Sequence, residues 1–238
     1  MEEINNVEVV PCTESDYLKP FRVHYNQNGT KKSWDFMRTH DVSVLIFNTT
    51  SHCFILVKQF RPVYMSEWER IKTQTPQSTE KAEKEAAEAP AQEGQATSED
   101  DSSSQWPPAS VGVTYELCAG LVDKPQLSLE EIARQEVLEE CGYDVPVSKL
   151  KRITSYSGVG VTGSKQTMFY AEVSDDNCVG AGGGEPCEGE LIEVVKVPLH
   201  EAMTFAYNER IPKTMGVIFS FIWFHNNMSP KYKISTNV

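Results

Sequence analysis

The sequence lacks any long run of apolar residues and any recognisable export signal. Its longest apolar stretch, residues 217–224, is broken by Ser220 and is far shorter than the roughly 20 residues that a membrane-spanning helix needs. Residues 1–6 have neither the basic nor the apolar region of a signal peptide, and their acidic character argues against a mitochondrial transit peptide. We therefore expect no membrane span and a cytoplasmic location.

Basic residues are scarce. The chain has 22 Lys and Arg against 34 Asp and Glu, which gives a formal net charge of −12 and a pI near 4.9. This balance excludes a broad basic surface for nucleic acid or anionic lipid, so neither partner is expected. About half of the net negative charge lies within residues 80–101.

Cysteine pairs at metal-binding spacing are also absent. No C-x-x-C pair occurs, and the cysteines are scattered through apolar surroundings. We expect reduced thiols rather than disulfides or a zinc–thiolate site. The six cysteines are Cys12, Cys53, Cys118, Cys141, Cys178 and Cys187.

What is present suffices for one good core, because 39% of the 238 residues are apolar and 10% are aromatic. Alternating polar and apolar residues before Arg38, with a turn at 26–29, predict a β-hairpin-like piece too small to fold alone. Residues 71–110 have almost no apolar anchors and are predicted to be a disordered acidic insertion. Elsewhere the patterns predict strands at 42–47, 53–57, 111–117, 166–173 and 191–197, and helices at 129–141 and 211–224.

Strands interleaved with two well-separated helices indicate a layered α/β fold. We divide the chain into a small N-terminal β subdomain (1–40), a main domain (41–225) that contains the insertion, and a C-terminal tail (226–238). The main domain contains the chemically informative segment, residues 120–143.

The helix predicted at 129–141 has both ends specified and places acids on an unexpected face. Ser128 and Glu131 have the spacing of a capping box, and Gly142 supplies a left-handed stop. On a helical wheel the apolar stripe that begins at Leu129 continues into Glu136, Glu139 and Glu140. No lysine lies at the matching spacing to compensate three mutually repelling acids, so a cation such as Mg²⁺ or Mn²⁺ is indicated. The alternative is a charged helix end that is simply hydrated.

Two glycine-rich segments invite other interpretations. Residues 158–163 form a G-x-G-x-x-G pattern, but the following residues predict a strand rather than the helix that dinucleotide binding requires, so a turn is expected. The run Gly182–Gly184 is expected to be a flexible loop that could act as a hinge for the acids that follow it.

Residues 120–143 resemble the signature of the Nudix hydrolases, G-x5-E-x7-R-E-U-x-E-E-x-G-U, in which U is apolar. Residues 136–143 match its second half closely. The first half departs twice, because Gln135 replaces the arginine and the spacing from Gly120 to Glu136 is one residue longer. In the family that arginine and an upstream glutamate are thought to brace the junction between loop and helix; here Arg134 and Glu130 are the candidates for that part.

Residues 33–38, 56–62, 116–123, 155–170 and 211–219 extend the resemblance to the branch that cleaves nucleoside-diphosphate sugars. The resemblance implies a Nudix α/β/α sandwich with a mixed sheet, a homodimer formed through the N-terminal subdomain, and Mg²⁺-dependent cleavage, with Mn²⁺ a possible substitute. The implied substrate is UDP-glucose or another UDP-sugar, with ADP-ribose as a further candidate, and the implied products are UMP and sugar 1-phosphate. A catalytically silent module that binds nucleotide sugars is the alternative, motivated by Gln135.

The resemblance also implies roles for individual residues. The metal ligands would be the Ala119 carbonyl, Glu136 and Glu140, with Glu139 as an additional or alternate ligand. Arg61, and less securely Arg38, would reach the substrate phosphates, while Trp34 would stack on the base. Glu190, just before the last strand, would be the catalytic acid/base together with the metal-helix acid Glu139, and Glu188 is the rival to Glu190.

Overall fold

The computed structural model describes residues 15, 20–61, 112–160, 162–185 and 190–232. The chain divides into two units. The smaller unit comprises residues 1–10 and 60–113, of which only Phe60, Arg61, Gly112 and Val113 are described. The larger unit comprises residues 11–59 and 114–238 and contains the N-terminal hairpin. The insertion predicted at 71–110 lies outside the described residues, and the predicted domain boundary near residue 40 stays a prediction.

The N-terminal hairpin has the predicted form. Strands β1 (Pro20–Gln27) and β2 (Thr30–Met37) pair antiparallel through a turn at Asn28 and Gly29. Both turn residues have positive φ, 52° and 79°, which is the geometry of a two-residue turn that follows the twist of the strands.

The remaining strands form a mixed sheet of seven. The predicted strands are all present within a few residues, and the one expected at 111–117 is the strand at Val113–Glu116. The strands at Cys118–Leu121 and Lys151–Ser157 had not been predicted. Their bounds are β3 (His40–Asn48), β4 (Cys53–Phe60), β5 (Val113–Glu116), β6 (Cys118–Leu121), β7 (Lys151–Ser157), β8 (Lys165–Val173) and β9 (Ile192–Pro198).

Strand β3 is the centre of this sheet. One edge pairs in parallel with β8 along its whole length. The other edge pairs antiparallel with β4 at residues 46–48 and with β6 at residues 41–44. The chain therefore leaves β4 and joins β3 at Leu117, and this change of partner separates β5 from β6.

Helices cover both faces of the sheet, as the α/β/α class requires. Helix α1 (Leu129–Cys141) packs on the face that holds Val42, Val44 and Ile46. Helices α2 (Ala202–Tyr207) and α3 (Met215–Tyr232) pack on the opposite face, against Leu45 and Phe47. Three short 3₁₀ segments lie at Val147–Lys149, Asp175–Asn177 and Leu199–Glu201.

The last helix differs from its prediction. It begins at Met215 rather than 211, because Pro212 and Lys213 precede it, and it continues to Tyr232. Residues 226–232, assigned to a tail, are therefore helical, and the Tyr232 ring lies 4.8 Å from that of Phe47. Within the described ranges, no helix combines the length and apolar character needed to cross a membrane.

The loop at 158–163 and the cysteines agree with their predictions. The loop joins β7 to the antiparallel β8, so a strand and not a helix follows its glycines. The described cysteines, Cys53, Cys118, Cys141 and Cys178, are all free thiols. Cys12 and Cys187 lie outside the described residues.

Candidate active site

Helix α1 has the predicted ends and presents the predicted acids. The Ser128 hydroxyl accepts a hydrogen bond from the Glu131 amide, while the Glu131 carboxylate accepts one from the Ser128 amide. Gly142 ends the helix at φ 74°. Glu140 is only 3% exposed, and Glu136 and Glu139 are half-buried. The acids therefore lie on the inner part of the helix and are not a hydrated outer face.

Glu140 is held against strand β6. The Ala119 amide donates to Glu140 Oε2 at 3.0 Å, which links the helix to the strand. Burial raises the pKa of Glu140 to about 8, although the Ala119 hydrogen bond acts in the opposite direction. Whether the Ala119 carbonyl is a ligand stays a prediction.

Glu136 lies against the backbone of the next residue of that strand. A Cβ atom added at Gly120 would lie 2.0 Å from Glu136 Cδ, so a larger residue would require this carboxyl group to move. Burial and the nearby charge of Glu139 raise the pKa of Glu136 to about 7. Two acids on one helix are thus in surroundings that favour an added positive charge.

The glycine run Gly182–Gly184 is docked on α1, which differs from the flexible hinge expected from its composition. The Gly183 amide donates to the Glu140 carbonyl at 2.9 Å and the Gly184 amide to the Glu139 carbonyl at 3.1 Å. All three glycines have positive φ, between 67° and 119°. Because the last carbonyls of a helix lack partners within it, these amides complete the end of α1.

Glu190 acts on the carboxylates of Glu136 and Glu140, which together with that of Glu139 we call the acidic cluster of α1. Glu190 Oε2 accepts a hydrogen bond from the Glu185 amide at 3.0 Å. A Cβ at Gly184 would lie 2.6 Å from the same oxygen, so the glycine makes room for the carboxylate. The negative charge of Glu190 contributes, after burial, to the raised pKa of both Glu136 and Glu140. Glu188 lies outside the described residues.

Lys124 is a member of the site that the sequence interpretation missed. Its Nζ donates to Gln135 Oε1 at 3.2 Å, which ties the loop before α1 to the residue that precedes Glu136. Its positive charge counteracts the rise in the pKa of Glu136. Arg134, suggested for this part, instead pairs with Asp144 at 2.7 Å. The sequence contains a signal for this pair. A lysine lies in the loop four residues after Gly120, and an amide side chain lies where the signature has arginine.

The oxygen donors fit a hard divalent cation. Within the described ranges, no three His, Cys, Asp or Glu side chains are already arranged to hold a metal ion. The charges nevertheless call for one, because the acidic side chains Glu136, Glu139, Glu140 and Glu190 lie close enough to influence one another. The positive charge of Lys124 only partly offsets the rise in the pKa of Glu136. Carboxylates with such a shortage of positive charge favour Mg²⁺-like ions over soft metals.

The structure describes all three residues that are predicted to bind the substrate. Trp34, on β2, is 50% exposed, and its indole donates to the Gly160 carbonyl at 3.0 Å. Arg38 is exposed between β2 and β3. Arg61 follows β4, and its amide donates to the Gly112 carbonyl at 2.7 Å. Their roles toward a substrate stay predictions.

The chain is similar over nearly its whole length to two curated mammalian proteins. The uridine diphosphate glucose pyrophosphatase NUDT14 of Bos taurus is 51% identical over 233 residues, covering 97% of this chain and 98% of that protein. The Mus musculus protein of the same name is 48% identical over 241 residues, with the same coverage. No protein-family model matches the chain.

More distant similarities are consistent with the same fold. The GDP-mannose pyrophosphatase of Pectobacterium atrosepticum is 38% identical over 101 residues, covering 42% of this chain and 49% of that protein. The solved structure of an ADP compounds hydrolase superposes with a TM-score of 0.53 over 91% of each chain, at 16% identity. At that identity the structural likeness bears on the fold alone.

Proposed function

Because this chain belongs to the Nudix hydrolases, within the UDP-glucose pyrophosphatase family, we propose that it hydrolyses the diphosphate bond of UDP-glucose and related UDP-sugars. The observation that carries the proposal is the acidic cluster of α1, in which Glu140 is buried and Glu136 is half-buried with too little positive charge nearby. A substrate that carries a diphosphate and arrives with a divalent cation supplies what this cluster lacks.

The reaction adds water to one phosphorus atom and breaks the anhydride bond, which yields UMP and sugar 1-phosphate. Glu136, Glu140 and the Ala119 carbonyl would hold Mg²⁺, or Mn²⁺ in its place, with Glu139 as a further ligand. The bound cation supplies charge neutralisation and Lewis-acid polarisation. Glu139 is a half-buried acid whose charge acts on Glu136, and in this proposal it has a catalytic part together with Glu190.

Glu190 is the acid/base in this proposal. A base must approach the attacking water from outside the metal ligands, and Glu190 reaches the cluster from a separate loop. The Gly183 and Gly184 amides donate to the Glu140 and Glu139 carbonyls, and the charge of Glu190 acts on both Glu136 and Glu140. The Glu185 amide orients the Glu190 carboxylate through one oxygen and leaves the other for a proton.

The remaining contacts are assigned to cationic and aromatic side chains. Arg61 and Arg38 would bind the diphosphate, since an arginine fork matches phosphate oxygens and offsets the repulsion of the glutamates. Trp34 has the exposed ring face that base stacking needs.

The experiment compares UDP-glucose, ADP-ribose and GDP-mannose with purified protein in Mg²⁺ or Mn²⁺, quantifying UMP, AMP and GMP. We expect kcat/KM to be highest for UMP release from UDP-glucose. Binding of UDP-glucose in a calorimeter without release of nucleotide at any metal concentration would instead identify a silent binding module.

We expect Lys124 and Gln135 to act as a pair that positions Glu136. Gln135→Ala should lower kcat several-fold, and Lys124→Ala at least as much, because it also removes the positive charge that acts on Glu136. The double variant should be no worse than Lys124→Ala, because both substitutions remove the same hydrogen bond. Exchanging the two residues, Lys124→Gln with Gln135→Lys, keeps both the hydrogen bond and the positive charge and should recover most of the activity.

The measurement for this pair is a double-mutant cycle on kcat and KM. Arg134→Ala is the matched control, since Arg134 lies on the same helix but pairs with the exposed Asp144. Losses that add up in the double variant would mean that Lys124 and Gln135 act independently.

The hairpin surface supports a homodimer. Phe21, Val23 and Tyr25 are 48%, 44% and 39% exposed on a two-stranded unit that is marginal by itself. We expect light scattering to give twice the chain mass of 26.7 kDa, and Val23→Lys with Tyr25→Lys to shift the mass toward one copy. Val179→Lys, at a residue 64% exposed elsewhere, is the control. A wild-type mass of one chain would exclude the dimer.

A further inference from the structure

A cavity of about 210 Å³ lies on the α3 face of the sheet, at the beginning of that helix. Residues of β3, β6, β7 and β8 line it together with Met215 and Gly216 of α3. Met215 is 71% exposed. The volume is below the roughly 300 Å³ at which pockets for drug-sized ligands begin, so it suits one ring rather than a whole nucleotide.

Ser43 gives this cavity, which we call the Ser43 cavity, an unsatisfied hydrogen-bonding group. Its side chain lines the cavity and is 2% exposed. Among the described residues, the buried Oγ atom has no hydrogen-bond partner. A buried hydroxyl without a partner is destabilising, so a group that it could bond in the cavity would be favoured.

The other polar groups in the lining select the kind of ligand. The Glu116 carboxylate accepts a hydrogen bond from the Thr114 hydroxyl at 2.6 Å, and its negative charge disfavours a phosphate or carboxylate in the cavity. The Tyr156 hydroxyl donates to Gln166 Oε1, which leaves the Gln166 amide nitrogen to donate. Donors and acceptors mixed in this way match hydroxyl groups, which both donate and accept.

The Ser43 cavity is joined to the acidic cluster through β6. Ala119 lines the cavity, while its own amide donates to Glu140 on the other side. The following residue, Gly120, is in contact with Glu136. Among the described strands, β6 pairs only with β3, so no further strand separates the cavity from the carboxylates at that edge.

From this juxtaposition we propose that the Ser43 cavity binds the sugar ring of the nucleotide-sugar substrate. Ser43, Gln166 and Glu116 pair with the sugar hydroxyls, and Leu117 offers an apolar surface to the ring carbons. The inference rests on the proposed function, because it places the sugar beside a diphosphate held at Glu136 and Glu140.

The test compares two substrates with the same anhydride, UDP-glucose and methyl-UDP, in which a methyl group replaces the sugar. Ser43→Val fills part of the cavity and should lower kcat/KM for UDP-glucose by at least about 10-fold, with methyl-UDP changed by less than about 2-fold. Ser43→Ala should lower kcat/KM for UDP-glucose by about 3-fold and leave the melting temperature equal or higher, since it removes an unpaired hydroxyl.

Ser220→Ala is the matched control, because Ser220 is also fully buried on this face but bonds Met168 Sδ and does not line the cavity. Equal losses on both substrates, or full activity of Ser43→Val on UDP-glucose, would overturn the inference. If wild type cleaves neither substrate, the proposed function fails. Calorimetry then tests the cavity separately, by comparing the affinity of wild type and of Ser43→Val for UDP-glucose. Equal affinities would count against the inference.

Discussion

Replacing Glu136 or Glu140 by glutamine is expected to lower kcat for UDP-glucose on the order of 10³-fold while the fold stays intact. An amide keeps the size of the side chain but loses the charge that holds a divalent cation. Glu139→Gln should cause a smaller loss, because Glu139 is an additional or alternate ligand. The measurement is UMP release at saturating substrate over a wide range of Mg²⁺ concentrations.

For the melting temperature, the same variants are expected to show no loss, in contrast to their loss of turnover. Glu140 is buried, so without a cation its charge opposes folding, and Glu140→Gln should melt at an equal or higher temperature than wild type in chelator. Added Mg²⁺ should stabilise wild type and leave Glu140→Gln nearly unchanged. The amide oxygen of glutamine can still accept from the Ala119 amide.

Glu130→Gln is the control for both measurements, since Glu130 lies on the same helix outside the cluster. It should leave turnover and melting close to wild type. A large loss of stability for Glu136→Gln or Glu140→Gln in chelator would mean that these glutamates support the fold rather than bind a cation.

Helix α1 shows what local sequence signals can predict. Its bounds, Leu129–Cys141, agree with the prediction because Ser128, Glu131 and Gly142 fix both ends through bonds within a few residues. The inward position of Glu140 follows from the same periodicity. Signals of this kind need no knowledge of the rest of the fold.

The errors fall where a distant partner decides the structure. Strand β6 had not been predicted, because the change of partner from β4 to β3 at Leu117 depends on strands that are remote in sequence. Helix α3 continues past Phe224 because Tyr232 packs on Phe47, which is remote in sequence. Nothing local encodes either contact.

The glycine run Gly182–Gly184 is the error with the largest consequence for the site. Composition favours a flexible loop, yet the same absence of side chains lets the backbone approach the end of α1. A Cβ at Gly182 would lie 2.3 Å from the Glu140 carbonyl oxygen. The glycines therefore permit the backbone of residues 182–184 to lie against the end of α1, with the Glu190 carboxylate next to Gly184.

Glu190→Gln is expected to lower kcat for UDP-glucose on the order of 10²-fold, with KM and the Mg²⁺ dependence nearly unchanged. Glutamine cannot take a proton from the attacking water, but it keeps the oxygen that accepts from the Glu185 amide. The loop should therefore keep its position, and the loss should appear in kcat. Metal affinity and substrate affinity are measured separately by titration.

Glu188→Gln and Gly184→Ala separate the alternatives for this base. If Glu190 is the base, Glu188→Gln should have a kcat close to that of wild type. Loss of turnover in Glu188→Gln together with full turnover in Glu190→Gln would instead identify Glu188 as the base. Gly184→Ala should mimic Glu190→Gln in kcat, because its Cβ would displace the Glu190 carboxylate while leaving that carboxylate chemically competent. Full activity of both glutamine variants would show that neither acid deprotonates the water.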